Sequence, residues 1–293
     1  MRKFRETNYS KEILLLKKIF GKEIKDLDKL IKSNILGKLS FLLYDSNSNI
    51  ISNSVKKVKV GFFGSLIDGE IIDDRKKKKD LFKKIRIVLE DLNKKNLKNF
   101  SYNFFNSTKR KPQESKKKTS DLVKDIAKDN AKKITTLAVE YIDQVDAIIV
   151  DGFREGRENK TIIEEVKKKI VDVSDSKKAN AKLIATDQIQ KLNGELDKIR
   201  QKANGSTRYI WRTRGNEAVR DDHKRLEGAI FEWGKPPITV TSGKRSGERN
   251  EPAQDINCKC YAEFIVEDIT GEKTKKITIA EEKTKKLKDK GFL

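Results

Sequence analysis

The sequence is poor in the residues that mark several common classes of protein. Its 293 residues include two cysteines, one histidine, four prolines and 16 glycines. Two cysteines are too few for the disulfide framework of a small secreted scaffold. So few glycines and prolines exclude a collagen-like chain and disfavour a β-sandwich, which needs many tight turns. No run approaches the roughly 18 apolar residues of a spanning helix, so we predict no membrane span.

A secretory leader is also missing from the sequence pattern. The first twenty residues are basic but lack the roughly 7–15-residue apolar region and cleavage site of a signal peptide. We therefore expect synthesis in the cytosol without export, where the two cysteines are free, metal-bound or packed rather than paired. Hydrophobic residues make up 35% of the chain and charged residues 38%. This balance disfavours an enzyme with one deep core and favours extended helices around a modest core.

Positive charge is what the chain has in excess, with 67 Lys and Arg against 45 Asp and Glu, a net charge of +22. Residues 1–120 hold 31 of the basic and 14 of the acidic residues. Three dense runs occur there: Arg75, Lys76, Lys77, Lys78 and Lys79; Lys109, Arg110 and Lys111; and Lys116, Lys117 and Lys118. Such runs repel themselves unless a polyanion is near, so we predict contact with a nucleic-acid phosphate backbone through residues 75–79 and 116–118. The alternative is that lysine is simply the default surface residue of this chain.

Hydrophobic spacing predicts a mainly α fold of long helices with a small α+β module at the C-terminal end, which contains a short antiparallel sheet. Steps of three and four predict helices over 10–31 and 80–97, with a strand or loop near 55–60 between them. We divide the chain into a basic helical region (1–105), a linker around Pro112 (106–120), a helical region (121–205), the module (206–267) and a charged tail (268–293). The region 121–205 is predicted to be interrupted at Gly152 and Gly156 and again near residue 175, before a helix over 176–203.

The module is distinct because both tryptophans, both cysteines, the histidine and three prolines fall between 206 and 262. Alternation predicts strands over 208–213 and 258–266, and a short helix over 219–226 that Gly228 closes. Residues 234–256 are predicted to form a long exposed loop, and the tail a solvated or disordered segment. Five aromatic residues are expected to form the core of the module rather than a base-stacking platform, namely Tyr209, Trp211, Phe231, Trp233 and Tyr261.

His223, Cys258 and Cys260 are candidate ligands of a structural zinc ion, because zinc prefers sulfur and imidazole donors. Structural zinc sites use four ligands, so the fourth would be Asp222, Asp255, another carboxylate or water. The alternative is that both cysteines fill a small core while His223 makes a hydrogen bond. No other cofactor is predicted, and a disulfide between residues two apart would be strained.

Catalysis has weaker support in the sequence. His223 could act as a general base with Arg212 or Arg220 stabilising charge, or Cys258 could be a nucleophile with His223 as its base. No glycine motif for an oxyanion hole accompanies them, and we expect a protein that is not an enzyme.

Several short motifs of the module and the helix before it resemble the phage Mu F-like, head-morphogenesis family of phage minor head proteins. The resemblance covers roughly residues 178–266, where order and spacing match. The matching residues are Ala181-Lys182-Leu183-Ile184-Ala185-Thr186-Asp187-Gln188, Lys191-Leu192-Asn193-Gly194, Tyr209-Ile210-Trp211-Arg212-Thr213, Glu217-Ala218-Val219-Arg220, His223, Leu226-Glu227-Gly228, Phe231-Glu232-Trp233 and Asp255-Ile256-Asn257-Cys258-Lys259-Cys260-Tyr261-Ala262.

Four positions depart from the pattern of this family: Thr186 stands where Arg is usual, Asn216 where Asp is usual, Ala253 where Gly is usual and Lys259 where Arg is usual. The resemblance implies a structural virion protein in the capsid interior or at the portal vertex. Its implied partners are portal, capsid or scaffold proteins and packaged double-stranded DNA, and its implied role is in head assembly, DNA packaging or delivery. Two alternatives stay open: a DNA-delivered hydrolase or toxin-like module using His223 with Cys258 or Cys260, and a non-viral nucleic-acid-binding protein.

Overall fold

The computed structural model describes residues 9–33, 75–215, 219–271 and 275–292. The strand or loop predicted near 55–60 lies outside them. Four long helices come first: α1 (Ser10–Ile31), α2 (Arg75–Thr108), α3 (Lys116–Arg154) and α4 (Asn159–Ala203). The remaining elements are β1 (Arg208–Arg212), α5 (Asp221–Lys224), β2 (Ile230–Glu232), a 3-10 turn (Gly243–Arg245), β3 (Tyr261–Phe264), α6 (Val266–Thr270) and α7 (Lys275–Asp289). The prediction of a mainly α chain with a small antiparallel sheet near its C-terminal end is confirmed.

The described part of the chain divides into two compact units, one within residues 1–13, 87–126 and 186–293, and the other within residues 14–86 and 127–185. The core of the second unit is built from apolar stripes of α1, α3 and α4. Its buried members are Leu27, Ile31, Tyr141, Ile142, Val145, Ile149, Ile162, Val166, Ile170 and Val173. Their spacing of three and four residues puts each stripe on one helical face, which explains why sequence periodicity finds these helices.

Three helices, α2, α3 and α4, are longer than their patterns indicate. Helix α4 runs without interruption through residues 171–175, so the break predicted there is wrong. That segment contains no glycine or proline, and Val173 and Ser174 are buried within the helix. The non-helical stretch between α2 and α3 covers only residues 109–115 rather than 106–120. Pro112 and a left-handed Lys109 (φ +59°) account for the break.

Gly152 and Gly156 are both predicted to interrupt the helix, but only Gly156 lies beyond the end of α3. Gly152 lies inside the helix, whereas Gly156, with φ +66°, lies just after its end. A Cβ at Gly152 would fall 2.7 Å from the side chain of Ile162, so the glycine lets the following segment approach closely.

The sheet of the module has the order β2-β1-β3, with both pairings antiparallel. Tyr209 pairs with Phe231 on one side and with Phe264 on the other. Strand β2 was not predicted, because three residues are too few to display alternation. The predicted second strand is shorter than expected, since Val266–Thr270 is helical.

The loop and the tail that follow the sheet are less exposed than predicted. Within 234–256, Thr239, Glu251 and Asp255 are buried, and Glu251 accepts hydrogen bonds from the backbone N–H of Gly234 (2.8 Å) and Nζ of Lys198 (2.6 Å). Helix α7 is not a free solvated tail. It buries Ile277, Ala280 and Leu287 along one face, two of them against Ile210 and Ile230 of the sheet. No helix of the described residues is long and apolar enough to cross a membrane.

Candidate functional site

The three candidate ligands meet in the interior of the module. His223 is on α5, while Cys258 and Cys260 lie just before β3. The Nδ1 atom of His223 is 3.5 Å from Sγ of Cys258 and 3.5 Å from Sγ of Cys260. All three potential ligand atoms lie within 4.8 Å of one another. Their residues are 2%, 5% and 5% exposed, and both cysteines are free rather than disulfide-bonded.

Hydrogen bonds fix the cysteine segment against the helices on either side. Nη2 of Arg220, the residue just before α5, donates to the carbonyl of Ile256 at 2.8 Å. The backbone N–H of Asn257 donates to Oδ1 of Asp187 on α4 at 2.9 Å. Asn257 has φ +55°, a left-handed conformation that asparagine tolerates better than most residues. The segment is therefore held in place from both sides before any ligand binds.

Asp255 lies behind the histidine. Its Oδ2 atom is 3.2 Å from Nε2 of His223, and its side chain is 1% exposed. The other oxygen, Oδ1, accepts hydrogen bonds from Asn250 (3.1 Å) and Arg245 (3.2 Å). A carboxylate on the outer ring nitrogen orients the imidazole so that its inner nitrogen faces the two sulfurs.

The cluster perturbs the protonation of its members. Burial lowers the pKa of His223, but Asp255 and Cys258 outweigh burial and raise that pKa to about 9. The hydrogen bond with Cys260, together with His223, lowers the pKa of Cys258 to about 5 against the opposing effect of burial. The pKa of Cys260 is raised, first by its hydrogen bond to Cys258 and then by burial. Without a metal, the pocket therefore favours a thiolate at Cys258 beside an imidazolium.

Two chemistries are open to this arrangement. Two sulfurs and an imidazole nitrogen facing one point are the donors of a zinc site. A thiolate, a histidine and an aspartate in a row are also the parts of a nucleophilic centre. A nucleophile must be reached by its substrate, however, and both cysteines are 5% exposed. Burial therefore favours metal binding over nucleophilic attack.

The other predicted site residues have partners of their own. Asp222 accepts hydrogen bonds from Thr241 (backbone N–H at 3.1 Å) and from Arg225. Arg212 forms ion pairs with Glu263 at 2.5 Å and Glu227 at 3.0 Å. Asp222 is thus engaged away from the cluster, and the charge of Arg212 is neutralised inside the module.

Four of the five aromatic residues form the core of the module as expected. Tyr209 and Trp211 are 0% exposed, and Phe231 and Trp233 are also buried. The indole of Trp211 contacts the ring of His223 edge-on, with centroids 5.6 Å apart. The site is therefore part of the packed core of the module.

Two of the three basic runs lie where helices begin, and the third, Lys109 to Lys111, lies between α2 and α3. Helix α2 begins at Arg75 and helix α3 at Lys116, and neither has an acidic residue in its first turn. The exposed residues of these runs are Lys78, Lys79, Lys109, Arg110, Lys111, Lys116, Lys117 and Lys118. The side chains of Arg75, Lys76 and Lys77 lie outside the described part of the structure. Positive charge at a helix N-terminus opposes the helix dipole, so the runs at 75–79 and 116–118 are electrostatically suited to an anion rather than to stability.

Asp187 and Asp255 are the supporting residues whose roles sequence reasoning did not find. In the sequence, Asp187 stands out only as part of a matching motif, and Asp255 as part of a matching motif and as a candidate fourth ligand. The available signal was their place in the two motifs that match in order, Asp187-Gln188 and Asp255-Ile256-Asn257.

The structure is that of a helical chain that carries a compact module containing His223, Cys258 and Cys260. Residues 143–263 match the family described as Phage Mu protein F like protein. This match confirms the resemblance over a segment that runs from α3 through most of β3.

A curated relative from Haemophilus influenzae (strain ATCC 51907 / DSM 11121 / KW20 / Rd), described as an uncharacterized protein, is 29% identical over 131 residues. That similarity covers 45% of this chain and 26% of the relative, so the chain spans about a quarter of the relative's length. No solved structure matches significantly.

Proposed function

We propose that this protein is a structural component of a phage-type virion. It acts at the capsid interior or portal vertex, in head assembly, DNA packaging or DNA delivery. The observation that carries the proposal is the family match over residues 143–263, which contain most of the module. In this proposal the module docks on portal, capsid or scaffold subunits, and the long helices extend the reach of the chain.

Particle composition tests the proposal directly. Particles purified from cells that carry the gene are analysed by mass spectrometry, with the host lysate as reference. We expect the chain to co-purify with portal and capsid proteins. A chain that is abundant in the lysate and missing from the particles would instead support a non-viral nucleic-acid-binding protein.

The proposal assigns DNA contact to the exposed basic runs. Each phosphate that a lysine neutralises adds about 0.9 to the slope of log affinity against log salt concentration. Replacing Lys116, Lys117 and Lys118 with glutamine should therefore lower the slope by up to about 2.7. The assay is fluorescence anisotropy with a double-stranded DNA probe over a range of salt concentrations.

A charge-matched variant serves as the control. Lys285, Lys286 and Lys288 are exposed on α7, and their replacement with glutamine removes the same charge. We expect this variant to keep nearly the full slope. Equal slopes for the two triple variants would mean that net charge alone attracts DNA, and the assignment to residues 116–118 would be wrong.

A hydrolase is the weaker alternative. Cys258, His223 and Asp255 are in the order that a thiol enzyme needs, but the burial of both sulfurs keeps a substrate away from them. The proposed role is therefore not enzymatic.

A further inference from the structure

We propose that His223, Cys258 and Cys260 bind a zinc ion that joins α5 to the segment preceding β3. This proposal is independent of the virion role, because it rests on the geometry of three side chains inside the module.

The two distances from the histidine nitrogen to the cysteine sulfurs fit a bound zinc ion. Zinc bonds of about 2.3 Å to sulfur and about 2.0–2.1 Å to nitrogen, at a tetrahedral angle, separate sulfur from nitrogen by about 3.5 Å. The structure has 3.5 Å between Nδ1 of His223 and each of the two sulfurs. A bare Nδ1 carries one hydrogen or one lone pair, so a single hydrogen bond would satisfy it. Equal distances to two sulfurs fit a shared central ion better.

The groups around the three ligands also support zinc binding. Oδ2 of Asp255 lies 3.2 Å from Nε2 of His223, as in a carboxylate–histidine–zinc arrangement. The backbone N–H of Cys260 donates to Sγ of Cys258 at 3.4 Å, which stabilises negative charge on that sulfur. These contacts hold the imidazole and one thiolate in the orientation that a metal requires.

The donor atoms determine the choice of metal, and the surrounding carboxylates determine the fourth ligand. A set of two sulfurs and one imidazole suits zinc better than the hard cations magnesium and calcium, which prefer oxygen. Among the described residues, no carboxylate joins the cluster: Asp222 is engaged by Thr241 and Arg225, and Asp255 faces the outer nitrogen of the histidine. The fourth position is therefore assigned to a water molecule. Zinc binds the sulfurs as thiolates, so protons on the thiols pass to solvent on binding.

The unmodified full-length chain provides the main test. It is purified from zinc-supplemented medium and dialysed, and its metal content is measured by plasma mass spectrometry. We expect about one zinc per chain. After removal by a chelator, added Co²⁺ should produce a thiolate-to-cobalt charge-transfer absorption band. Less than about half a zinc per chain, with far-UV circular dichroism unchanged and no cobalt band, would overturn the proposal.

Variants separate ligands from neighbours. Cys258→Ser and Cys260→Ser should each lose stoichiometric zinc, whereas Lys259→Arg, an exposed residue between them, should bind zinc like the original chain. Asp255→Asn keeps the shape of the side chain and should weaken zinc affinity by about 10–100-fold. Full zinc binding by both serine variants would overturn the assignment. If the serine variants fail to fold, the cobalt spectrum still tests the site, because it is measured on the unmodified chain.

Alkylation distinguishes zinc from the nucleophile. Bound thiolates should react slowly with iodoacetamide until a chelator is added. Fast alkylation of Cys258 in the untreated protein, together with absence of metal, would overturn the zinc site and favour the hydrolase. Neither result bears on whether the chain is found in particles.

Discussion

Replacing Gly194 with alanine tests how closely the module packs on α4. Gly194 lies inside this helix, where glycine normally weakens the structure. A Cβ added there would be 2.9 Å from the carbonyl oxygen of Pro252 and 3.0 Å from Cβ of Ala253. Both atoms belong to a buried part of the loop, so they cannot move aside at low cost.

The expected magnitude follows from two opposing effects. Alanine gains about 1 kcal/mol over glycine in a helix interior. Forcing a methyl group into a packed contact costs about 1–3 kcal/mol. We therefore expect Gly194→Ala to lower the free energy of unfolding by about 1 kcal/mol, although helix propensity alone predicts an increase.

Gly21 is the matched control. It lies inside α1, and a Cβ built on it meets nothing within 4 Å. Gly21→Ala should therefore raise the free energy of unfolding by about 0.5–1 kcal/mol. Urea unfolding is followed by far-UV circular dichroism for both variants, and by tryptophan fluorescence for Gly194→Ala, because Trp211 and Trp233 both lie in the module.

A double variant identifies the contact. Ala253 has φ +71°, a conformation that suits glycine, so Ala253→Gly removes its Cβ without backbone strain. In that background Gly194→Ala should cost less by about 0.5 kcal/mol or more. A stabilising Gly194→Ala would refute the close packing of helix and loop. A cost that Ala253→Gly leaves unchanged would instead assign the clash to the carbonyl oxygen of Pro252 alone.

Two further predictions concern buried polar groups. The Tyr141 hydroxyl donates to Oδ1 of Asp28 at 2.7 Å, and this bond and Lys32 outweigh burial and lower the pKa of Asp28. Tyr141→Phe should therefore lower the free energy of unfolding by about 1–3 kcal/mol at pH 7, where the carboxylate is charged. This loss should shrink as pH falls below about 4, because the carboxylate becomes protonated. An equal loss at pH 3 and pH 7 in urea unfolding would contradict this reasoning. Arg200 is 0% exposed and donates to Asn96 and to Oδ1 of Asn93 at 2.5 Å, with Asp197 nearby. Arg200→Ala should cost about 1.5–3 kcal/mol in thermal or urea unfolding, because buried asparagine oxygens lose hydrogen bonds from a charged donor, and a change below about 1 kcal/mol would contradict it.

The helices were predictable because their apolar residues repeat locally. Leu27 and Ile31, or Ile142, Val145 and Ile149, are spaced so that each set falls on one helical face whatever it packs against. The boundaries were less predictable. Nothing local required a break at residues 171–175, and Gly152 lies inside α3 because a neighbouring side chain needs the space, which no local pattern shows.

The site was predictable in its ligands but not in its support. His223, Cys258 and Cys260 are conspicuous because the chain has no other histidine or cysteine. Their equal 3.5 Å distances depend on the return of the chain 35 and 37 positions later. The role of Asp255 depends on the loop before the cysteines, and the role of Asp187 depends on the packing of that segment on α4. Short-range spacing carries no information on such contacts.

The sequence by itself determined the helical class, the excess of positive charge before residue 120, the three sulfur and imidazole donors and the family resemblance. Each of these is either a local property or a matter of residue identity. Only the tertiary structure decided that helix α7 is packed rather than solvated, that Asp222 is engaged away from the cysteines, and that Asp255 lies behind His223. These outcomes depend on which long-range contacts bury apolar surface and satisfy buried polar groups, and those contacts exist only once the chain has folded.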